Sequence, residues 1–172
     1  MRKRNIQKII ILFFIGIIGC TNEVDEKISY LKKGVKLYEQ GKFVRAKIEL
    51  KNAIQENPNI ADAYYYLALL NEKGRMFKAM KGNLLESIKL GPHNIDARLK
   101  LSKVYLLFNE LDKSLEEIEN VLLVQPDQLN AYTLKAAVLI RQKNDRDALV
   151  ILNSVLEKNA DHIEAITLKT VL

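Results

Sequence analysis

The chain has 172 residues, one domain's length, and is 48% hydrophobic and 28% charged, which excludes a disordered tail, a collagen-like fibre and a multi-pass membrane protein. One cysteine and two histidines exclude a disulfide framework and a cysteine-rich zinc module. The formal charge of +6 is unevenly placed: Arg2, Lys3, Arg4 and Lys8 precede any acid, and from residue 20 onward 23 basic residues face 21 acidic ones. A nearly neutral body disfavours nucleic acid as the partner.

Residues 1–8 form a basic stretch, and Ile9 to Gly19 are apolar without a break. Eleven residues of helix span about 16 Å, well short of the ~30 Å hydrocarbon core, so a stable membrane span is not expected. A basic segment followed by a short apolar one is the pattern of a secretory signal. The apolar run ends in Ile17-Ile18-Gly19-Cys20, and Cys20 is the only cysteine. This resembles the lipobox of bacterial lipoproteins. The resemblance implies a signal peptide over 1–19, cleavage before Cys20, and lipidation of its sulfur. Each acyl CH₂ buried contributes roughly 0.8 kcal/mol, so several chains make a lasting membrane anchor. An ordinary cleaved signal with an incidental cysteine, giving a soluble periplasmic protein, or a short uncleaved anchor, is the alternative. Thr21-Asn22 lacks the aspartate that retains lipoproteins in the inner membrane, so the resemblance implies a cell-envelope protein on the outer membrane, facing the periplasm. Residues 20–26 read as a polar tether.

The body is periodic. Its three prolines, Pro58, Pro92 and Pro126, are spaced by 34 and 34. With proline as position 32, repeats cover 27–60, 61–94, 95–128 and 129–162, and 163–172 begins a fifth. Position 3 reads Ser29, Ala63, Ala97, Ala131 and Ala165. Position 8 reads Gly34, Ala68, Ser102, Ala136 and Thr170, and position 20 reads Ala46, Met80, Ser114 and Ala148. Small residues there let two helices of a hairpin approach closely. Aliphatic residues at positions 24 and 28 (Leu50 and Ile54, Leu84 and Ile88, Ile118 and Leu122, Leu152 and Leu156) share one helix face. Helices are predicted near 28–40, 43–56, 61–73, 77–90, 95–108, 111–124, 129–142, 145–158 and 163–172. Asn59, Asp127 and Asp161 follow the proline position and are expected to cap the next helix. Met80 at a small-residue position suggests a slip or a looser pair in the second repeat.

These columns resemble the tetratricopeptide repeat, a 34-residue helix–turn–helix. The first repeat carries the fullest match, with Tyr30, Gly34, Leu37, Gly41, Phe43, Ala46, Leu50, Ala53 and Pro58. The resemblance implies an all-α solenoid, a right-handed superhelix in which each repeat buries its face on its neighbours. The apolar Ile166, Leu168, Val171 and Leu172 are unusual for a capping helix: either 163–172 are a terse cap or, the favoured reading, the chain is the front part of a longer array.

No nucleophile–base pair, phosphate-binding glycine loop or metal cluster is evident, so no enzyme activity, metal or cofactor is expected. His93 and His162 fall in turns between repeats and read as solvent-facing or capping residues. The resemblance implies that function lies in binding a protein or peptide along a concave groove lined by the first helices. The groove candidates are Leu31, Val35 and Tyr38, then Tyr65 and Leu69. Leu99, Lys103 and Leu106 follow, then Thr133, Ile140 and Arg141. Some of these positions could equally pack against the neighbouring helix. Leu31 and Val35 stand where co-chaperone members that grip a C-terminal carboxylate have Lys and Asn, which argues against that mode. Tyr64, Tyr65 and Tyr66 point about 100° apart on a helix and cannot form one stacking platform.

The segment Ala46 to Pro58 is similar to units of the tetratricopeptide lipoproteins of the PEP-CTERM/exosortase system. That likeness implies a lipid-anchored adaptor in exopolysaccharide export and protein sorting. The architecture is also similar to the outer-membrane lipoprotein that helps assemble the type IV pilus secretin. An interaction arm of an enzyme lying beyond this chain is the reading from another class.

Overall fold

The computed structural model describes residues 21–172, with side chains from Tyr30 onward; the signal segment and Cys20 lie outside the described residues. The described residues contain no strand and nine helices. These are α1 (Thr21–Glu39), α2 (Phe43–Glu56), α3 (Ala61–Lys73), α4 (Phe77–Leu90), α5 (Ile95–Leu107), α6 (Leu111–Val124), α7 (Leu129–Arg141), α8 (Asp145–Lys158) and α9 (Ile163–Thr170). The predicted helices fall on these to within a residue or two, except at the start of α1. That helix is described from Thr21, so residues 21–26, read as a polar tether, are helical. No described helix is long and apolar enough to cross a membrane.

The chain divides into two compact bodies, one ending at Pro58 and the other running from Asn59 to Leu172. In the first body α1 packs on α2. A Cβ on Gly34 would lie 2.8 Å from Leu50 Cγ, so the two helices close over a position that admits no side chain. Leu37, Ala46, Leu50 and Ala53 are buried in this hairpin, and Lys33 Nζ pairs with a Glu49 carboxylate oxygen at 2.7 Å.

The second body stacks the hairpins α3–α4, α5–α6 and α7–α8, with α9 packed against α7 and α8. Ala63, Ala97, Ala131 and Ala165 are fully buried at position 3, and Leu84, Ile118 and Leu152 at position 24. The side chains at position 28 are only half-buried. At positions 8 and 20 Ala136 meets Ala148 in one cluster, while Ser102 and Ser114 hydrogen-bond each other through Oγ at 2.9 Å. Ser114 Oγ also donates to the Ser102 carbonyl at 3.0 Å, so both buried hydroxyls are satisfied. Met80 causes no slip: α4 has the same 14-residue length as α6 and α8, and the thioether lies buried beside Ala68 and Leu84. An unbranched, flexible side chain fits a gap that a branched one would not.

The turn inside each hairpin is made by the backbone. Gly41, Arg75, Asn109 and Lys143, all at position 15, are left-handed with φ of 73°, 54°, 59° and 63°. In every case the amide of the next residue reaches the carbonyl five residues back: Lys42 to Leu37, Met76 to Asn71, Glu110 to Tyr105 and Asn144 to Leu139. This is the Schellman closure, which satisfies the last carbonyls of the helix. Gly74 stands one residue before the second of these turns at φ −82°, and Arg75 takes the left-handed position.

The turns that begin α5, α7 and α9 use a side chain at position 34, one residue beyond the expected position 33, whereas Ile60 at position 34 before α3 makes no side-chain cap. Asn94 Oδ1 accepts from the Ala97 amide at 2.9 Å, Gln128 Oε1 from Asn130 at 3.4 Å, and His162 Nδ1 from Ala165 at 3.3 Å. Asp161 instead donates its own amide to Asn159 Oδ1, so α8 stops at Lys158 although Ala160 replaces proline there.

Candidate functional site

Within the second body α5 packs on α7 and α7 on α9, whereas no comparable packing joins α4 to α6 or α6 to α8. The first helices α5, α7 and α9 are therefore closer together than the second helices beside them, which puts them on the inner side of this part of the stack. Across this inner side Lys100 Nζ meets a Glu72 carboxylate oxygen at 2.6 Å, joining α5 to α3.

A pocket of about 240 Å³ opens between α5, α7 and α9. Leu134, Ala137 and Leu168 form its apolar lining. Lys103 lies on the α5 side, Asn130 and Thr133 on α7, and Glu164 and Thr167 on α9. Both threonine hydroxyls are committed to backbone carbonyls one turn earlier, Thr133 to Leu129 at 3.0 Å and Thr167 to Ile163 at 2.8 Å. They present methyl groups and little free polarity. Lys103 is exposed and has no ion-pair partner among the described residues. Glu164 is 65% exposed.

Beneath the rim lies His162, only 8% exposed. Its ring is oriented by a donor whose identity is certain, the Ala165 backbone N–H, which points at Nδ1. Nδ1 must therefore carry a lone pair, and the proton of the neutral ring sits on Nε2. Nε2 faces the Asn130 side-chain oxygen at 3.1 Å, so Nε2–H donates and the Asn130 Oδ1 accepts. The Asn130 amino group is then turned away from the histidine. The Glu164 carboxylate stands 3.7 Å from Nδ1, beyond hydrogen-bond range.

The predicted groove residues divide into three groups. Lys103 and Arg141 are exposed, and Leu69, Leu106, Tyr65 and Ile140 are half-buried on the second body. Tyr65 leans on the core around Met80 and Leu84 and meets Tyr66 edge-on at 5.8 Å. Leu99 packs into the core rather than the groove, while Thr133 is largely buried but still lines the pocket. Leu99 is 7% exposed and belongs to the core with Ile118 and Leu134, because close packing of α5 on α7 covers position 5; Thr133 is 5% exposed for the same reason. Leu31, Val35 and Tyr38 are half-buried on the first body, where Tyr38 meets Phe43 at 5.7 Å. His93 is exposed, whereas His162 is buried and capping rather than solvent-facing. The sequence reading missed the α9 contribution. Glu164 and Thr167 stand at positions 2 and 5 of the fifth repeat, so the same columns would have found them.

The densest charge cluster lies apart from the pocket lining, at the α5–α6 turn. Glu110 accepts from Lys113 at 2.7 Å and Lys81 at 2.8 Å, and these two bonds hold its carboxyl below the usual range. Both ammonium groups stand 5.6 Å from the Tyr105 ring centre, whose phenol is pushed up by burial. This cluster ties α4 to the next hairpin and is structural. Among the described residues no group of His, Cys, Asp and Glu is arranged to hold a metal ion.

No family model matches the chain. Over 84 residues it is 30% identical to the uncharacterised protein y4yS of Sinorhizobium fredii, covering 49% of this chain and 46% of that protein. Over 113 residues it is 26% identical to anaphase-promoting complex subunit 3 of Schizosaccharomyces pombe, covering 64% of this chain and 17% of that one. The chain thus spans less than half the length of these curated relatives. Among solved structures, MamA superposes with a TM-score of 0.71 and 26% identity over 80% of both chains. A tetratricopeptide repeat protein from Parabacteroides merdae superposes with a TM-score of 0.72 and 18% identity, over 84% of this chain and 58% of that one. The architecture is the all-α tetratricopeptide solenoid.

Proposed function

We propose that this chain is a lipid-anchored tetratricopeptide adaptor of the bacterial cell envelope that holds a protein partner on the inner face of its second body. The observation that carries the binding role is the pocket between α5, α7 and α9. It has an apolar lining and a rim of polar and charged groups, Lys103, Asn130 and Glu164. Apolar anchoring with a polar rim is how extended or helical segments of partner proteins are held. The similarity to a named subunit of a multiprotein complex supports the same role. The anchor rests on Arg2 to Gly19 followed by Cys20. The likeness of Ala46 to Pro58 to the PEP-CTERM/exosortase tetratricopeptide lipoproteins supports exopolysaccharide export and protein sorting as the pathway.

Two measurements test this. Labelled palmitate enters the wild-type chain and not Cys20→Ser, which stays in its precursor form; a Cys20→Ser chain that processes normally and remains in the membrane pellet overturns the anchor. In-cell crosslinking of the full chain, with Lys103→Glu as the groove control, captures export or sorting components that the control loses. Secretin or pilus components, lost in the same control, move the reading to type IV pilus assembly.

A further inference from the structure

The pocket specifies more than a generic partner. Its volume, about 240 Å³, is below the roughly 300–1,000 Å³ of small-molecule and cofactor sites. It suits one large aliphatic side chain and its backbone. The lining on Leu134, Ala137 and Leu168 is apolar, and the two threonine hydroxyls nearby are already used. Polarity is left at three points of the rim, and each has a defined sign.

The first is Lys103, a cation with no acid paired to it, although its neighbours Lys100 and Arg98 are paired with Glu72 and Glu117 at 2.6 Å each. The second is the Asn130 amino group. The Ala165 amide fixes the histidine tautomer, the tautomer fixes the Asn130 oxygen inward, and the two N–H bonds of the carboxamide are left for a ligand. The third is Glu164 on the opposite helix. A groove with a cation on the α5 side, a fixed amide donor on α7 and a carboxylate on α9 has a polarity, and a segment crossing it must match that polarity.

We propose that this pocket takes an extended peptide segment in which an aliphatic residue is preceded or followed directly by an acidic one. The aliphatic side chain fills the pocket, a peptide carbonyl accepts from Asn130, and the acidic side chain pairs with Lys103. Glu164 excludes a second acid on the far side. His162 is a positioning residue: it touches no ligand and holds the Asn130 amide in the donating orientation. The proposal rests on the adaptor reading and narrows it to one class of partner.

The test is selection from a displayed library of random, unstructured peptides on the full chain, with sequencing of the bound pool. The wild-type chain enriches acidic–aliphatic pairs. Lys103→Glu reverses the charge preference beside the aliphatic residue by about fivefold to tenfold, as expected for swapping attraction for repulsion at a partly exposed pair. Ala137→Met fills the pocket and removes the aliphatic preference. Asn130→Asp keeps an acceptor for His162 but loses the amino group, and lowers binding of every selected peptide. Circular dichroism shows that each variant keeps its helices. If the wild-type pool has no acidic–aliphatic pair, or if Lys103→Glu leaves the pool unchanged, the proposal is overturned. Peptides selected through other residues would leave the adaptor reading standing. A chain that selects no peptide and crosslinks to no partner in cells overturns both.

Discussion

The two kinds of turn in this chain solve the same problem with different means. Within a hairpin, one left-handed residue and one long backbone bond close the helix, and the side chain at that position varies freely from Gly41 to Arg75, Asn109 and Lys143. At the starts of α5, α7 and α9 a side chain at position 34 reaches one of the first amides of the helix, whereas Ile60 before α3 makes no side-chain cap. The first kind of turn tolerates many residues at a cost in strain. The second kind ties a particular side chain to the inner face, because the cap sits at the N-terminal end of the helix that lines it. His162 shows the consequence, since one ring caps α9 and orients Asn130 of α7.

The largest break in that comparison is His162→Ala. It removes a cap, a contact to α7 and a buried ring together. We expect local opening of α9 to become easier by about 2 kcal/mol, roughly a thirtyfold rise in amide exchange confined to α9. His162→Asn restores a capping oxygen but not the reach to Asn130, and so recovers only part of the protection. Equal exchange in wild type and His162→Ala would show that the side chain is incidental to the turn.

Within-hairpin turns should respond to the backbone alone. Nothing lies within 4 Å of a Cβ placed on Gly41, so Gly41→Ala is sterically free and is penalised only by its positive φ. The expected loss is about 1 kcal/mol, read by urea unfolding of the full chain. The converse changes, Arg75→Gly and Lys143→Gly, should each gain roughly 0.5 kcal/mol, the relief of strain being partly offset by the freer unfolded chain. Asn109→Gly should gain less, because asparagine accepts the left-handed region more readily.

This contrast also explains what was legible in the sequence. Helix boundaries followed from proline spacing and small-residue columns because close helix packing permits few residues at positions 3, 8 and 20. The left-handed turn was legible at Gly41 and, more weakly, at Asn109; at Arg75 and Lys143 the residue type carries no signal, since the Schellman bonds use backbone atoms. The capping column was misread by one residue, because Asn59, Asp127 and Asp161 are common capping types while Gln128 and His162 are unusual ones. In the groove the sequence could not separate Leu99 from Leu69. Both are aliphatic on first helices, and only the contact of α5 with α7 decides that Leu99 is core. The first helices of each body remain separate cases, and Tyr38 and Tyr65 are best varied independently.

The smallest prediction compares two caps of one column. Asn94 Oδ1 reaches Ala97 N, the third residue of α5, at 2.9 Å, the geometry of a short capping side chain. Gln128 has one more methylene, overshoots, and bonds instead to Asn130 N at 3.4 Å. A bond of that length is weak, and the Gln128 amide also spends a donor on Gln125 Oε1 at 3.2 Å. Asn94→Ala should therefore cost about 1 kcal/mol and Gln128→Ala no more than a few tenths. Gln128→Asn, by supplying the shorter reach, should stabilise α7 by a similar few tenths to 1 kcal/mol. Exchange rates at Ala97 and Asn130, the amides that the two side chains accept from, read the difference directly. If both alanine variants cost the same, the reach of the side chain is not what sets the strength of this turn.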